Sequence, residues 1–310
     1  MTEILKASFP VYSVTCNKGR LFAAGGGGSS KTGMRNGVDV FRLDTPPSPT
    51  PKAFVSLEET LPESVQSRGN IVAYGENRTA VVVSLSGAAI ARTTYPAQIK
   101  FIRINSKEEI LVFSENGAFS VSKKNGSTHT QKTSPDVRDV SFSDRYIVLA
   151  EEKAVSVHSK RRHARLPVPN CSLVQCTEDT VFTVSVDKTK KSSTVLGWKK
   201  EKGGWRPARK RTLRGCVTAF CVRSDTVAAA TSDSTVYALS LRLRVRMERK
   251  TSQFAITSLD ILPDTTLCTG SADGNIFLLK PQNKTTLFLL LAALVGVVLS
   301  QVFFLLAKFK

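Results

Sequence analysis

A unit of short apolar strands separated by polar turns recurs along the chain, and its clearest copy is ITSLDILPDTTLCTGSADGNIFLLK, from Ile256 to Lys280. Each unit reads as an apolar strand, a polar turn, a second apolar strand, a turn and a third strand, and the turns carry Asp, Asn, Gly or Ser, which suit tight chain reversals. Related copies are VTAFCVRSDTVAAATSDSTVYALSL, from Val217 to Leu241, and VRDVSFSDRYIVLAEEKAVSVHS, from Val137 to Ser159; weaker ones start near Val11, Asn70, Ile99 and Val174. Seven starts, roughly 30 to 60 residues apart, predict an array of three- to four-stranded sheets. A β-sandwich with regular hairpins is the alternative, but seven similar units favour a closed ring of blades.

The last copy has three evident strands before Pro281, whereas a strand-like piece, Ile4 to Ser8, precedes the first copy. That piece is expected to supply the missing outer strand of the last blade, closing the ring and removing its open edge. The TGSADGNI phrase, Thr269 to Ile276, has the look of a WD-repeat hairpin. From Leu287 to Ala307 run 21 residues without a charge, about 31 Å as a helix and enough to cross a hydrocarbon core. The expected fold is therefore all-β, a seven-bladed WD-type β-propeller over residues 1–280 with a C-terminal transmembrane helix at 287–307. Residues 281–286 would be a short linker and 308–310 a tail beyond the membrane. The opening stretch MTEILKASFPVYS lacks the apolar run of a secretory signal, so a C-terminal anchor with the propeller in the cytosol is expected. Six cysteines stand in apolar, strand-like contexts, as reduced thiols used for packing do, and the three histidines lie in polar stretches, which disfavours a zinc site.

One segment breaks the repeat. AGGGGSSKTGMRNGVDVF, from Ala24 to Phe41, places a glycine-rich insertion between the strands expected at Arg20 to Ala24 and Val38 to Leu43, where a blade needs a turn of only a few residues. The segment admits three readings. GGGGSSKT nearly spells a phosphate-binding loop but has Ser30 where glycine is needed, and it leads into a strand rather than a helix. An elaborate hairpin without a partner is the second. The third, which we prefer, is a cation-organised interaction loop: no acidic side chain lies between Gly25 and Gly37, so a metal would meet backbone carbonyls, hydroxyls and the Asn36 amide, a donor set suited to a monovalent ion.

AGGGG followed by Gly33, Met34 and Asn36, in the first repeat of a propeller ahead of a C-terminal apolar span, resembles the WD-repeat guanine-nucleotide exchange factors of the endoplasmic reticulum that start COPII coat assembly, the prolactin regulatory element-binding protein family. The resemblance implies an exchange factor with no covalent chemistry, which releases GDP from the coat-initiating small GTPase at the endoplasmic-reticulum membrane. It further implies a potassium ion cradled by Gly25, Gly26, Gly27, Gly28 and Asn36, with Asn36 and Met34 as the residues on which exchange depends. Lys31, Thr32, Gly33 and Arg35 would be the remaining GTPase contacts. No small-molecule substrate is expected, and Asp233 and Asp273, placed in tight turns, are expected to be structural. The alternative is a non-catalytic, membrane-anchored propeller scaffold for trafficking proteins.

The net charge of +19 gathers in KRRHAR (Lys160 to Arg165), in the stretch Lys188 to Lys202, in RPARKRTLR (Arg206 to Arg214) and in RLRVRMERK (Arg242 to Lys250). None of these runs sits in a recognisable DNA-binding motif or among stacking aromatics, so nucleic acid is disfavoured and a basic face turned toward anionic lipid is expected. Pro-rich DTPPSPTPK, Asp44 to Lys52, is expected to link the first and second repeats.

Overall fold

The computed structural model describes residues 2–27, 33–43, 51–57, 60–62, 64–123, 127–159, 162–252 and 254–281. The chain divides into two units, Met1–Lys280 and Pro281–Lys310. Of the second unit only Pro281 is described, so the expected span at 287–307 and the tail lie outside the described residues. No helix among the described residues is long and apolar enough to cross a membrane.

Among the described residues the first unit has 28 strands in seven antiparallel four-stranded sheets. Strand β1 (Thr2–Lys6) precedes the first sheet, which comprises β2 (Val11–Asn17), β3 (Arg20–Gly25), β4 (Asn36–Arg42) and β5 (Lys52–Leu57). The second comprises β6 (Val65–Arg68), β7 (Ile71–Glu76), β8 (Thr79–Ser84) and β9 (Ala89–Thr94); the third β10 (Ile99–Ile104), β11 (Ile110–Ser114), β12 (Ala118–Ser122) and β13 (Thr128–Lys132). The fourth holds β14 (Asp139–Phe142), β15 (Ile147–Ala150), β16 (Val155–His158) and β17 (His163–Leu166); the fifth β18 (Cys171–Cys176), β19 (Thr180–Asp187), β20 (Ser192–Glu201) and β21 (Gly204–Arg214). The sixth holds β22 (Val217–Arg223), β23 (Thr226–Thr231), β24 (Thr235–Ser240) and β25 (Val245–Lys250), and the seventh β26 (Ile256–Ile261), β27 (Leu267–Ser271) and β28 (Asn275–Leu279). The first strand of every blade lines a central cavity of about 690 Å³. This is a seven-bladed β-propeller.

The seventh blade is completed by β1, which pairs antiparallel with β28 from Thr2↔Leu279 to Lys6↔Asn275. The closing strand forms as expected, shifted toward the start of the chain. Between blades, apolar faces interlock: Phe22 and Val38 of the first meet Val72 and Val81 of the second, and Leu5 and Ile276 of the last meet Val11, Leu21 and Phe41 of the first. Each such fully buried side chain is worth about 1.5–3 kcal/mol.

Polar side chains stitch the inner ring, because inner strands of neighbouring blades are too far apart to share a ladder. The buried Asp139 carboxylate accepts the Val174 amide of the next blade at 2.9 Å and the Arg103 guanidinium of the preceding blade at 2.8 Å. Asp260 repeats the device at the closure, accepting the Cys16 amide at 2.6 Å and Arg223 of the preceding blade at 3.4 Å. Hydroxyls do the same elsewhere: Ser141 Oγ accepts the Cys176 amide at 2.9 Å and Thr15 Oγ1 the Ser67 amide at 3.2 Å.

Three boundaries differ from expectation. The second and fifth blades begin at Val65 and Cys171 rather than near Asn70 and Val174. The Pro-rich stretch is not a connection between repeats: β5 follows it and is the outer strand of the first blade, so residues 44–50, outside the described residues, fall within that blade.

Candidate partner-binding site

Strands β3 and β4 form a hairpin whose last pairs are Ala24↔Val38 and Gly25↔Gly37. The two arms carry apolar residues on both faces, Phe22, Ala23, Ala24, Val38 and Phe41 being fully buried, so the pair sits rigidly between the neighbouring blades. The hairpin's open end, at Gly25 and Gly37, lies at the end of the sheet where the inner strand begins, Gly25 pairing with Val11 of β2. Gly28, Lys31 and Thr32 lie outside the described residues; Gly25, Gly26, Gly27, Gly33, Met34, Arg35 and Asn36 are described.

Both bases of the projection are fixed by close packing. A Cβ on Gly25 would overlap the Pro10 carbonyl oxygen, and the next amide, Gly26 N–H, donates to that same oxygen at 3.2 Å. A Cβ on Gly26 would overlap Asn36 Oδ1 and lie 2.7 Å from Asn36 Cα. Asn36 is thus packed directly against the opposite base, and it is 1% exposed. It stands inside β4, paired with Leu57 of β5, rather than in the turn. Met34, two residues earlier, is 51% exposed.

Arg35 and Asp39 complete the frame. The fully buried Asp39 carboxylate accepts the Ser8 amide at 3.1 Å and the Ser8 hydroxyl at 2.7 Å, and it forms an ion pair with Arg35. Arg35 also donates to Ser8 Oγ at 2.8 Å and lies 5.1 Å from the Phe9 ring centroid. The link from β1 to β2 is therefore clamped to the loop's second base. Ser8, Phe9 and Asp39 were not singled out by sequence; the one available signal was a lone acid inside the apolar run VDVF. Sequence likewise gave no reason to notice Phe254, in the connection between β25 and β26, and Tyr12, at the start of β2, whose rings are exposed at the same end of the strands as Met34.

Beside the hairpin, Val55, Leu57, Tyr74, Glu76 and Arg92 line an open cavity of about 490 Å³. Burial, followed by the Glu76 charge, pushes the Tyr74 hydroxyl up to about 12. No acidic side chain lies between Gly25 and Gly37, and the Asp39 carboxylate beyond them is already committed to Arg35 and Ser8. Among the described residues no group of three or more His, Cys, Asp or Glu side chains converges. Asp233 accepts the Thr231 hydroxyl at 2.5 Å and Asp273 the Asn275 amide at 3.0 Å, so both hold turns.

No protein-family model and no curated protein sequence matches this chain. Solved structures do. The WD40 β-propeller domain of Doa1 superposes with a TM-score of 0.72 at 12% identity, covering 91% of this chain and 97% of that one. A chain of the mitotic checkpoint complex gives 0.70 at 14% identity, over 91% and 94% of the two chains. The computationally designed Ika8 protein gives 0.62 at 14% identity, over 88% and 97%. At these identities the likeness is one of fold.

Proposed function

We propose that this chain is a guanine-nucleotide exchange factor for the small GTPase that starts COPII coat assembly, held at the endoplasmic-reticulum membrane through 287–307 with the propeller facing the cytosol. The observation that carries it is the glycine-rich projection between β3 and β4, whose bases are locked by Gly25, Gly26 and Asn36 while Met34 beside them is exposed. A connective turn has no need of such a frame, whereas a surface that must meet a partner in one geometry does.

Exchange needs no nucleophile or general base. A GTPase holds GDP through its phosphate loop, Mg2+ and switch segments, and a partner that binds the nucleotide-free arrangement better weakens GDP by the same coupling factor. In this chain Met34 supplies the apolar contact, Lys31, Thr32, Gly33 and Arg35 its polar surroundings, and Asn36 acts from within the blade by fixing where the loop departs. Carbonyls of Gly25 to Gly28 and the Asn36 amide would hold a potassium ion. When bound, such an ion holds loop backbone together by ion–dipole attraction without the desolvation cost of buried carboxylates.

GDP release from the purified GTPase, followed with residues 1–280 in potassium and in sodium buffers, tests this. Residues 1–280 contain every described strand and the closure of the ring. Release should be accelerated, more in potassium, and should slow about tenfold in Met34→Ala, the loss of one interface anchor. Asn36→Ala should lose acceleration and potassium preference together, with its circular dichroism compared against the parent. Unchanged GDP release with folded protein would favour the membrane-anchored scaffold.

A further inference from the structure

The outer strands of the fifth and sixth blades are far more basic than their five counterparts. β21 carries Arg206, Arg209, Lys210, Arg211 and Arg214 with no acid, and β25 carries Arg246, Arg249 and Lys250 against Glu248. The outer strands β5, β9, β13 and β17 hold a single Lys or Arg each, and β1 holds one Lys and one Glu, Lys6 and Glu3. Charges on an outer strand ordinarily serve to stop edge-to-edge association. One cation suffices for that on four of these blades, and β21 has Pro207 as well, so the remaining charge is surplus to edge protection.

The surplus is concentrated in space and unneutralised. Tyr237 of β24 stands between them, its hydroxyl 3.1 Å from the Arg214 carbonyl at the end of β21 and 3.2 Å from the Glu248 carboxylate of β25, which brings the two basic strands to one rim. Arg206 and Arg246 have carboxylate partners, at 3.6 and 2.8 Å. Arg209, Lys210, Arg211, Arg249 and Lys250 are exposed, and among the described residues none forms an ion pair.

We propose that this rim is a docking surface for an anionic membrane, contacting the phosphate-bearing head groups of acidic lipids. A flat array of mobile cations suits a diffuse negative surface, to which each adds a similar increment within about a Debye length, ~10 Å at moderate salt. The chain also brings a bilayer within reach. The apolar run starting at Leu287 begins eight residues after Leu279 ends β28, a tether of at most about 29 Å when fully extended; this step rests on reading that run as a membrane span. A nucleic-acid strand fits the rim less well, because base stacking needs free aromatic faces, and the rim's Trp205 packs edge-on against Tyr146 at 5.2 Å.

The test is flotation of residues 1–280, which lack the apolar run, with phosphatidylcholine vesicles prepared with and without phosphatidylserine. Binding should require the anionic lipid and fade as salt rises. Converting Arg209, Lys210, Arg211, Arg249 and Lys250 to Gln should weaken it at least about tenfold. An equal loss of charge from other blades, at the exposed Lys52, Arg78, Lys107, Lys132 and Lys153, should change it by less than about threefold. Equal losses in the two variants, equal binding to neutral vesicles, or displacement from anionic vesicles by a single-stranded RNA oligonucleotide would each overturn the proposal. GDP release in solution, without vesicles, should be unaltered by the rim substitutions, so this failure and that of the exchange reading are separable.

Discussion

At the scale of single residues, the loop bases and the inner-ring carboxylates carry the sharpest expectations. Gly26→Ala must push its new methyl into Asn36, including backbone, and should cost about 1–3 kcal/mol in urea denaturation. Gly33→Ala meets open space at a φ of +72° and should cost only about 1 kcal/mol. A larger loss at Gly33 than at Gly26 would contradict the packing described. Burial lifts the Asp139 carboxyl above its ordinary value, against the opposing pull of Arg103. The folded chain thus holds that proton more tightly than the unfolded chain, and the group's contribution to stability is greatest below the ordinary carboxylate range. It falls as pH rises through the folded value and is level above it. The stability difference between the parent and Asp139→Asn should therefore shrink as pH is raised from acid toward neutral, and a growing difference would refute this assignment. Burial also pushes the Cys171 thiol up to about 12 and Cys176 to about 11. Both should resist a disulfide reagent near neutral pH until urea unfolds the chain, as counted thiols would reveal.

At the scale of strands, the decisive element is β1. Its five pairs with β28 cover what would otherwise be a free edge of the seventh blade, while Leu5 packs into the cluster shared with Val11 and Phe41. Removing residues 2–6 should lower the thermal midpoint by many degrees and produce oligomers in size-exclusion chromatography, because the bared β28 edge is a template for pairing. Strands also explain what was legible beforehand. Second and third strands read clearly where they are buried on both faces, as β23 (TVAAAT) and β27 (LCTGS) are throughout and β24 (TVYALS) is apart from its ends. Outer strands such as β9 (AIARTT) and β13 (THTQK) are exposed at every position, so no apolar period marks them. That is why units of three strands were visible where blades have four, and why β5 was hidden behind the Pro-rich stretch. Blade starts slipped where inner strands carry channel-facing polar groups: VQSR of β6 has one fully buried apolar residue. Within the loop, glycine spacing was legible, but the burial of Asn36 was not, because it follows from the β4–β5 pairing.

At the scale of the whole molecule, seven sheets, the stitches centred on Asp139 and Asp260 and one closing strand make a ring whose stability is shared. Arg223→Met would leave Asp260 buried beside the closure without its cation and should cost about 3 kcal/mol in urea denaturation, although no interblade apolar contact changes. The same closure has a consequence in time. Strand β1 leaves the ribosome before the other strands of the ring, yet its partner β28 is made some 270 residues later, an interval of roughly 14–54 s at ordinary elongation rates. Throughout that interval a pairing-competent strand waits beside six growing blades, and each newly finished sheet offers it an edge. Fidelity of assembly then depends on the complementarity of TEILK for NIFLL over every earlier outer strand, and the density of charge on β21 and β25 makes the last two of those rivals poor hosts for Lys6.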